Sequence, residues 1–411
     1  MLYQIYPYFP VEKIHQLLHP TSIMKSGNLL ILQSGNPSVV GNAVLYGMLS
    51  EALNHEDIEE IYGVYNGFEG IIRENFVDLA DLSQKNAQLL LTTDGYVMGS
   101  EPVANYASQD FNQMIAVLSQ RNIHYVGIIG DQKSLEWMRC LEEAAKNSSY
   151  ELQVIAVPQS NCNETPLTEH SLGYGSYLKF LNSYVIALER FLKTAHIPVG
   201  ICEIEGGNNG WLVAGAVLHH TSKNPENAPY IVCLPEQPFN EAGFLEILKQ
   251  KLEKHPNVCI VTHSQLVNED GTAFDLSGYP NVGAYLYDLL QRELGLSPYL
   301  NFCDLNVQPF AHFISKTDAE EATLCGHKAI QLMAEGSETD KAIVLTRKEN
   351  ATEISCLPVQ ELSSGMKFLP TDWINEKAME MRYAFVKYAL PLLNGEIQVS
   401  YEKGLPQSAQ I

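Results

Sequence analysis

Residues 28–53 read NLLILQSGNPSVVGNAVLYGMLSEAL. The first six are a short apolar run of strand length. The last twelve, 42–53, carry apolar residues at helical spacing. Between them, SGNPSVVGN (34–42) is a glycine-punctuated turn. A strand that opens through such a turn into a helix is half of a βαβ unit. The pattern repeats along the chain. Strands are expected at 58–65, 123–130, 152–157, 199–204, 230–235, 257–262 and 342–347. Helices are expected at 111–122, 134–147, 176–195, 209–220, 244–255, 281–294 and 318–336. Such alternation argues an α/β fold with a parallel sheet covered on both faces. Residues 266–283 are the longest loop-like segment.

The chain has 411 residues, 45% of them hydrophobic, so it can bury a large core as two domains or one large α/β unit. Its 26 basic and 48 acidic residues leave a formal charge of −22. A surface so acidic repels phosphate backbones and anionic lipid, so no nucleic-acid or membrane partner is expected. The eight cysteines form no C-x-x-C pair, and several sit inside apolar runs such as YIVCLP and NVCIVT. That usage suits a reducing cytoplasm rather than a disulfide framework. No signal peptide and no membrane span is legible.

In a parallel sheet, ligands sit beyond the carboxyl ends of the strands. Five turns qualify as strand-end loops: 34–42, TTDGYVMGSEP (92–102), GDQKS (130–134), VPQSNCNE (157–164) and EGGNNG (205–210). Glycines that lead toward a helix can cradle an anion, and they can equally be ordinary tight turns. None of the loops matches the Walker pattern or G-x-G-x-x-G.

Taken in order, these loops resemble the phosphofructokinase family over about residues 28–395. QSGNPSVVGNAVLYGML is similar to the family's phosphate loop, with Gly35 and Asn36 at its turn. MGS matches the L-G-[ST] turn through Gly99 and Ser100. GDQKS sits on G-G-D-[GD]-[ST]. VPQSNCNETPLTEHSLGYGS sits on V-P-K-T-I-D-N-D-x-x-x-T-D-x-x-x-G-F, and EGGNNGWLVA on M-G-R-x-A-G-W-L-A. ISKTDAEEATLCGHKA resembles S-x-x-D-R-x-x-A. KFLPTDWINE is like the tail of long bacterial members, many of them pyrophosphate-dependent.

The resemblance implies two Rossmann-like three-layer α/β/α domains with parallel-rich sheets. A larger, phosphoryl-donor domain would take 28–172 plus about 265–345. A smaller, sugar-phosphate domain would take 173–264 plus about 346–400, and 1–27 would be an extension. It also implies glycolytic transfer of phosphate from pyrophosphate or ATP to fructose 6-phosphate. That chemistry needs a carboxylate base, Mg2+ and cations against both phosphates.

Several positions depart from this pattern. The family's base falls at Cys162, a thiol that is mostly protonated at neutral pH. Asn163 is kept on the sugar side, and the second Asp becomes Glu164. Asp131 and Glu164 are the candidate Mg2+ ligands; Glu164 also reads as a displaced catalytic base or as a solvated loop acid. On the donor side Gln159 replaces the lysine of pyrophosphate-dependent members, Ser160 keeps a hydroxyl, and Lys133 adds a cation or simply faces water. On the sugar side Glu205, Gly206 and Gly207 occupy the M-G-R positions. Ser264 stands where the family has a glutamate, and Gln308 is matched. Arginine positions fall at Pro102, Pro198, Gly207, Pro309 and Ala319.

Losing one partner of a buried charged pair costs about 2–5 kcal/mol. Even four of these five lost guanidiniums remove on the order of 8 kcal/mol at the low end of that range. The sequence thus reads as a phosphofructokinase-like scaffold with an impaired site, a regulatory or structural subunit. It would form a homo-oligomer, dimer or tetramer, or a hetero-oligomer with an active paralogue. The alternatives are a diverged active enzyme using pyrophosphate or ATP with Mg2+, and a binding protein for another small ligand. Adjacent His219 and His220 cannot share one face of a helix, and without an H-E-x-x-H or Cys/His cluster no zinc site is expected. His170 reads as a surface histidine, and Glu236 as a helix cap.

Overall fold

The computed structural model describes residues 26–101, 105–221, 228–303, 311–336, 339–348, 351–363 and 365–411. The strands of the two main sheets are β1 (Gly27–Ser34), β2 (Ile58–Val64), β3 (Phe76–Asp78), β4 (Ile123–Gly130), β5 (Gln153–Pro158), β6 (Val199–Ile204), β7 (Tyr230–Cys233), β8 (Val258–His263), β9 (Tyr299–Cys303), β10 (Lys341–Lys348) and β11 (Ala351–Pro358). They form two sheets, ordered β11-β10-β5-β4-β1-β2-β3 and β7-β8-β6-β9. The smaller sheet is parallel throughout. The larger is parallel except at its two edges, where β3 and β11 run antiparallel to their neighbours.

The helices of the first part are α1 (Gly41–Ala52), α2 (Gly67–Ile72), α3 (Gln84–Leu89), α4 (Ser108–Gln120), α5 (Gln132–Asn147) and α6 (Tyr174–Ala195). Those of the second part are α7 (Trp211–Gly215), α8 (Leu218–Thr221), α9 (Glu241–Lys254), α10 (Val282–Leu294), α11 (Lys316–Ala334), α12 (Val359–Leu362) and α13 (Tyr383–Ala389).

All eight residues of β1 are buried, because both faces of the sheet are covered. Leu29 and Ile31 join the core beneath α1 and α11, while Leu30 and Leu32 join the one beneath α2, α4 and α5. This is the period of two of a strand, read as two apolar layers. A third core fills the smaller sheet against α9 and α10. The contact between α1 and α11 is unusually close: a Cβ on Gly47 would lie 2.1 Å from the Thr323 carbonyl oxygen, and one on Gly326 would lie 2.3 Å from that of Val44.

Several expectations move. The segment 265–303, expected with the larger domain, supplies α10 and β9 to the smaller sheet, since β9 pairs in parallel with β6. The segment 351–358, expected with the smaller domain, returns antiparallel on β10 and extends the larger sheet. The single helix expected at 209–220 is broken into α7 and α8. Of the expected N-terminal extension, 1–25 lies outside the described residues, and Gly27 already belongs to β1.

Candidate functional site

The chain leaves β1 toward β2 on one side and later places β4 and β5 on the other. The ends of β1 and β4 therefore form the switch point where an open α/β sheet keeps a ligand crevice. Here the loops 34–42, 130–134 and 157–164 stand side by side. The loop 92–102 joins them, although it follows a helical turn at 90–92 and not a strand.

Asp131 is the N-cap of α5. Its Oδ1 accepts from the Lys133 and Ser134 amides at 3.1 and 3.2 Å. Its Oδ2 accepts the Asn36 amide at 2.9 Å. The neighbouring amide is taken by a residue that the sequence reading passed over. Glu101 is buried, and its Oε1 accepts from the Gly35 amide at 3.1 Å and the Ser34 hydroxyl at 2.6 Å, while Oε2 accepts the Phe68 amide at 3.3 Å. Burial pushes the Glu101 carboxyl up despite these donors. Two of the protein's own carboxylates thus occupy the donors of the phosphate-type loop. The only sequence signal was an acid next to Ser100.

The loop after β5 carries the degenerate base position. Burial, then the charges of Glu164 and Glu205, push the Cys162 thiol up to about 12. It is a protonated thiol at any physiological pH. Burial and the Asp131 charge also raise Glu164, against a 3.2 Å hydrogen bond from Ser160. The two acids that the sequence proposed for a metal thus feel each other electrostatically. A hard divalent cation between them would relieve that repulsion, so the donor set fits Mg2+ chemically.

Across the cleft stands the loop after β6. Gly207 has φ +68°, and a Cβ there would lie 3.3 Å from Glu164 Oε2 and 3.8 Å from Cys162 Sγ. The structure therefore brings Cys162, Glu164 and Gly207 together. Glu205 is exposed beside them and Gly206 is buried. A Cβ on Gly206 would come within 3.1 Å of Nε2 of His263, a buried residue that the sequence reading also passed over. Its Nδ1 accepts the Gln265 amide at 2.9 Å, and burial pulls its pKa down to about 4. It presents a neutral ring where a sugar-phosphate site would want charge. Ser264, next in the chain, is half-buried.

Other candidates turn away from the cleft. Asn163 is fully buried at φ +56°; its side chain donates to the Tyr388 hydroxyl at 2.9 Å and accepts the Ser171 amide at 2.9 Å. It braces the loop from beneath and has no free group for a sugar. Gln159 is fully buried, with its Oε1 on the Ser38 hydroxyl and its Nε2 without a partner. Lys133 lies over the Trp137 ring, 5.0 Å from its centre, rather than along the donor loop. Gly99 and Ser100 form a turn beside Asn66 and keep their place next to β1. Gln308, Pro309 and Pro102 lie outside the described residues. Glu236 caps α7 as expected, accepting the Gly210 amide at 2.8 Å. His170 is not a surface residue: it is buried and paired with Glu321 at 2.7 Å.

Two further cations near these loops are committed elsewhere. Lys367 passes under the loop, where its Nζ reaches the Glu169 and Thr168 carbonyls, the Tyr388 hydroxyl and the Trp211 ring. Burial pulls it down to about 7. Arg347 pairs with Glu169 at 3.5 Å.

The phosphofructokinase family pattern matches residues 28–333, which take in the smaller sheet, the first five strands of the larger but for Gly27, and all five strand-end loops. The chain belongs to the phosphofructokinase family. It is similar to the pyrophosphate–fructose 6-phosphate 1-phosphotransferases of Halomonas elongata (25% identical, covering 94% of this chain and 97% of that one) and Xanthomonas campestris (28%, 93% and 96%). Its fold is that of the pyrophosphate-dependent phosphofructokinase of Nitrosospira multiformis, with a TM-score of 0.85 at 23% identity over 93% of this chain and 95% of that one. None of the eight cysteines is in a disulfide, and no helix among the described residues is long and apolar enough to cross a membrane.

Proposed function

We propose that this member of the family uses the scaffold as a regulatory or structural subunit, with little or no phosphoryl transfer of its own. It would act in a homo-oligomer or beside an active paralogue. The observation that carries this reading is the capture of the Gly35 and Asn36 amides by Glu101 and Asp131. A phosphate arriving there must displace one carboxylate and sit beside another. Arginine positions held by Pro198, Gly207 and Ala319 supply no countercharge. The Cys162 thiol, held near 12, cannot take the sugar hydroxyl's proton.

Calorimetry with pyrophosphate, ATP, fructose 6-phosphate and fructose 1,6-bisphosphate, each with Mg2+, tests this. The expected result is no saturable heat at millimolar ligand. Replacing Glu101 with glutamine removes one of the two blocking charges, so Glu101→Gln should show saturable heat with millimolar pyrophosphate where the parent shows none. Tight binding of sugar phosphate by the parent chain would overturn the reading.

One observation favours a second reading, a diverged enzyme using pyrophosphate or ATP. The Asp131 charge raises Glu164 on the neighbouring loop, and the two carboxylates suit Mg2+. Turnover in a coupled assay that is abolished by Asp131→Asn would establish it.

A further inference from the structure

Away from the cleft, three side chains from two helices converge on one point. Glu189 on α6 places Oε2 3.1 Å from His219 Nε2 and Oε1 2.5 Å from His220 Nε2, both histidines lying on α8. One ligand atom from each of the three lies within 4.8 Å of the others. The two adjacent histidines, expected to diverge, converge because α8 is a four-residue helix after a break and the carboxylate comes from a different helix. Their rings tilt against each other with centres 4.1 Å apart. The side chains are 17–22% exposed, so an ion can reach them.

Asn182 fixes the protonation pattern. Its Nδ2 donates to the Leu178 and Gly215 carbonyls at 2.8 and 2.7 Å, so its Oδ1 must be the acceptor. That oxygen takes the His219 amide and faces His219 Nδ1, both at 3.1 Å. The Nδ1 atom therefore carries a proton. Nε2 then turns either a lone pair or a second proton toward Glu189. A neutral imidazole would point its lone pair at a carboxylate. An ion between them satisfies all three groups. An oxygen acceptor on the far nitrogen is also the way proteins orient a metal-bound imidazole.

We propose that Glu189, His219 and His220 form a binding site for a divalent transition ion of the Zn2+ class, with Asn182 orienting His219. Two imidazole nitrogens and one carboxylate suit Zn2+ or Co2+ and not Mg2+, which prefers oxygen ligands alone. Three protein ligands leave one coordination position to water. The ion would clip α8 to α6, with His219 nine residues beyond Gly210 of the loop 205–210.

The test uses the full chain stripped with a chelator and titrated with Zn2+, Co2+ and Mg2+. Expected are one Zn2+ per chain after dialysis and a rise in unfolding midpoint with Zn2+ but not with equal Mg2+. The Co2+ form should show visible bands of four-coordinate cobalt without a thiolate charge-transfer band. His219→Ala and Glu189→Gln should each weaken Zn2+ binding by more than the roughly 10–100-fold of an outer-shell change. Their midpoints in chelator report whether they fold, and if either does not, the parent's Co2+ spectrum decides. A thiolate band, no metal-dependent rise, or Zn2+ affinity unchanged in the folded double variant His219→Ala, His220→Ala would overturn the proposal.

Discussion

His263 shows how a residue at the end of a strand can govern the acid response of this cleft. It is fully buried, and its proton affinity falls from pKa 6.5 to about 4 on folding. The unfolded chain therefore binds a proton between pH 6.5 and 4 that the folded chain refuses. Stability from the neutral ring is complete above about pH 6.5 and is lost as pH falls toward 4. The full span is about 3 kcal/mol, at roughly 1.4 kcal/mol per unit. Glu142 works in the opposite sense: burial raises it from 4.5 to about 7, so its contribution is lost as pH rises through that range. The parent's own profile sums these two with the other shifted acids, Glu101 and Glu164 among them. Comparing chemical denaturation of the parent and His263→Asn isolates the first, and the gap between the two curves should change by most of that span from pH 6.5 to 4. A constant gap would refute it. The sequence exposed Cys162 as a thiol in the loop after β5 because a thiol is recognisable by its type. It did not expose Glu101 or His263, whose roles come from burial and from which amides they meet. Asn163 was placed on the wrong side for the same reason: only its left-handed backbone turns it inward.

At the scale of elements, the α1–α11 crossing has no room for a methyl group. Both obstructing atoms are backbone carbonyl oxygens, which cannot swing aside as a side chain does. Gly47→Ala should cost about 1–3 kcal/mol or more, the range for overpacking, in spite of alanine's better helix propensity. Urea unfolding checks it, and a neutral or stabilising result would mean that the helices slide apart freely. The same scale shows why most of the fold was legible. Strands β1, β4, β6 and β8 are continuous apolar runs between turns, and α1, α5, α6 and α10 have one apolar face each. The edges were harder to read. β9 has two exposed aromatic residues, Tyr299 and Phe302, and β11 is only partly buried, so neither carries the signature of a central strand. Misplacing them moved the expected boundaries between the two sheets. The helix expected at 209–220 failed because an apolar stretch does not reveal a break at its middle.

For the whole molecule, a formal charge of −22 opposes compactness. Raising NaCl from 10 to 150 mM shortens the screening length from about 30 to about 8 Å. The unfolding midpoint followed by scanning fluorimetry should therefore rise over that interval, and a fall would show that attractive ion pairs outweigh the repulsion. The family was legible at this scale because the order of the loops survives even where their residues differ from the family pattern. The glycine crossing has a further consequence, for synthesis. The layer that covers Leu29 and Ile31 includes α11, which leaves the ribosome some 264 residues after α1 ends. At about 5–20 residues per second, translation leaves that side of the first sheet under α1 alone, without α11, for roughly 13–53 s. A nascent chain of this protein is thus a long-lived half-covered intermediate, and its yield in a cell will depend on how well the uncovered part is shielded until the last third has been made.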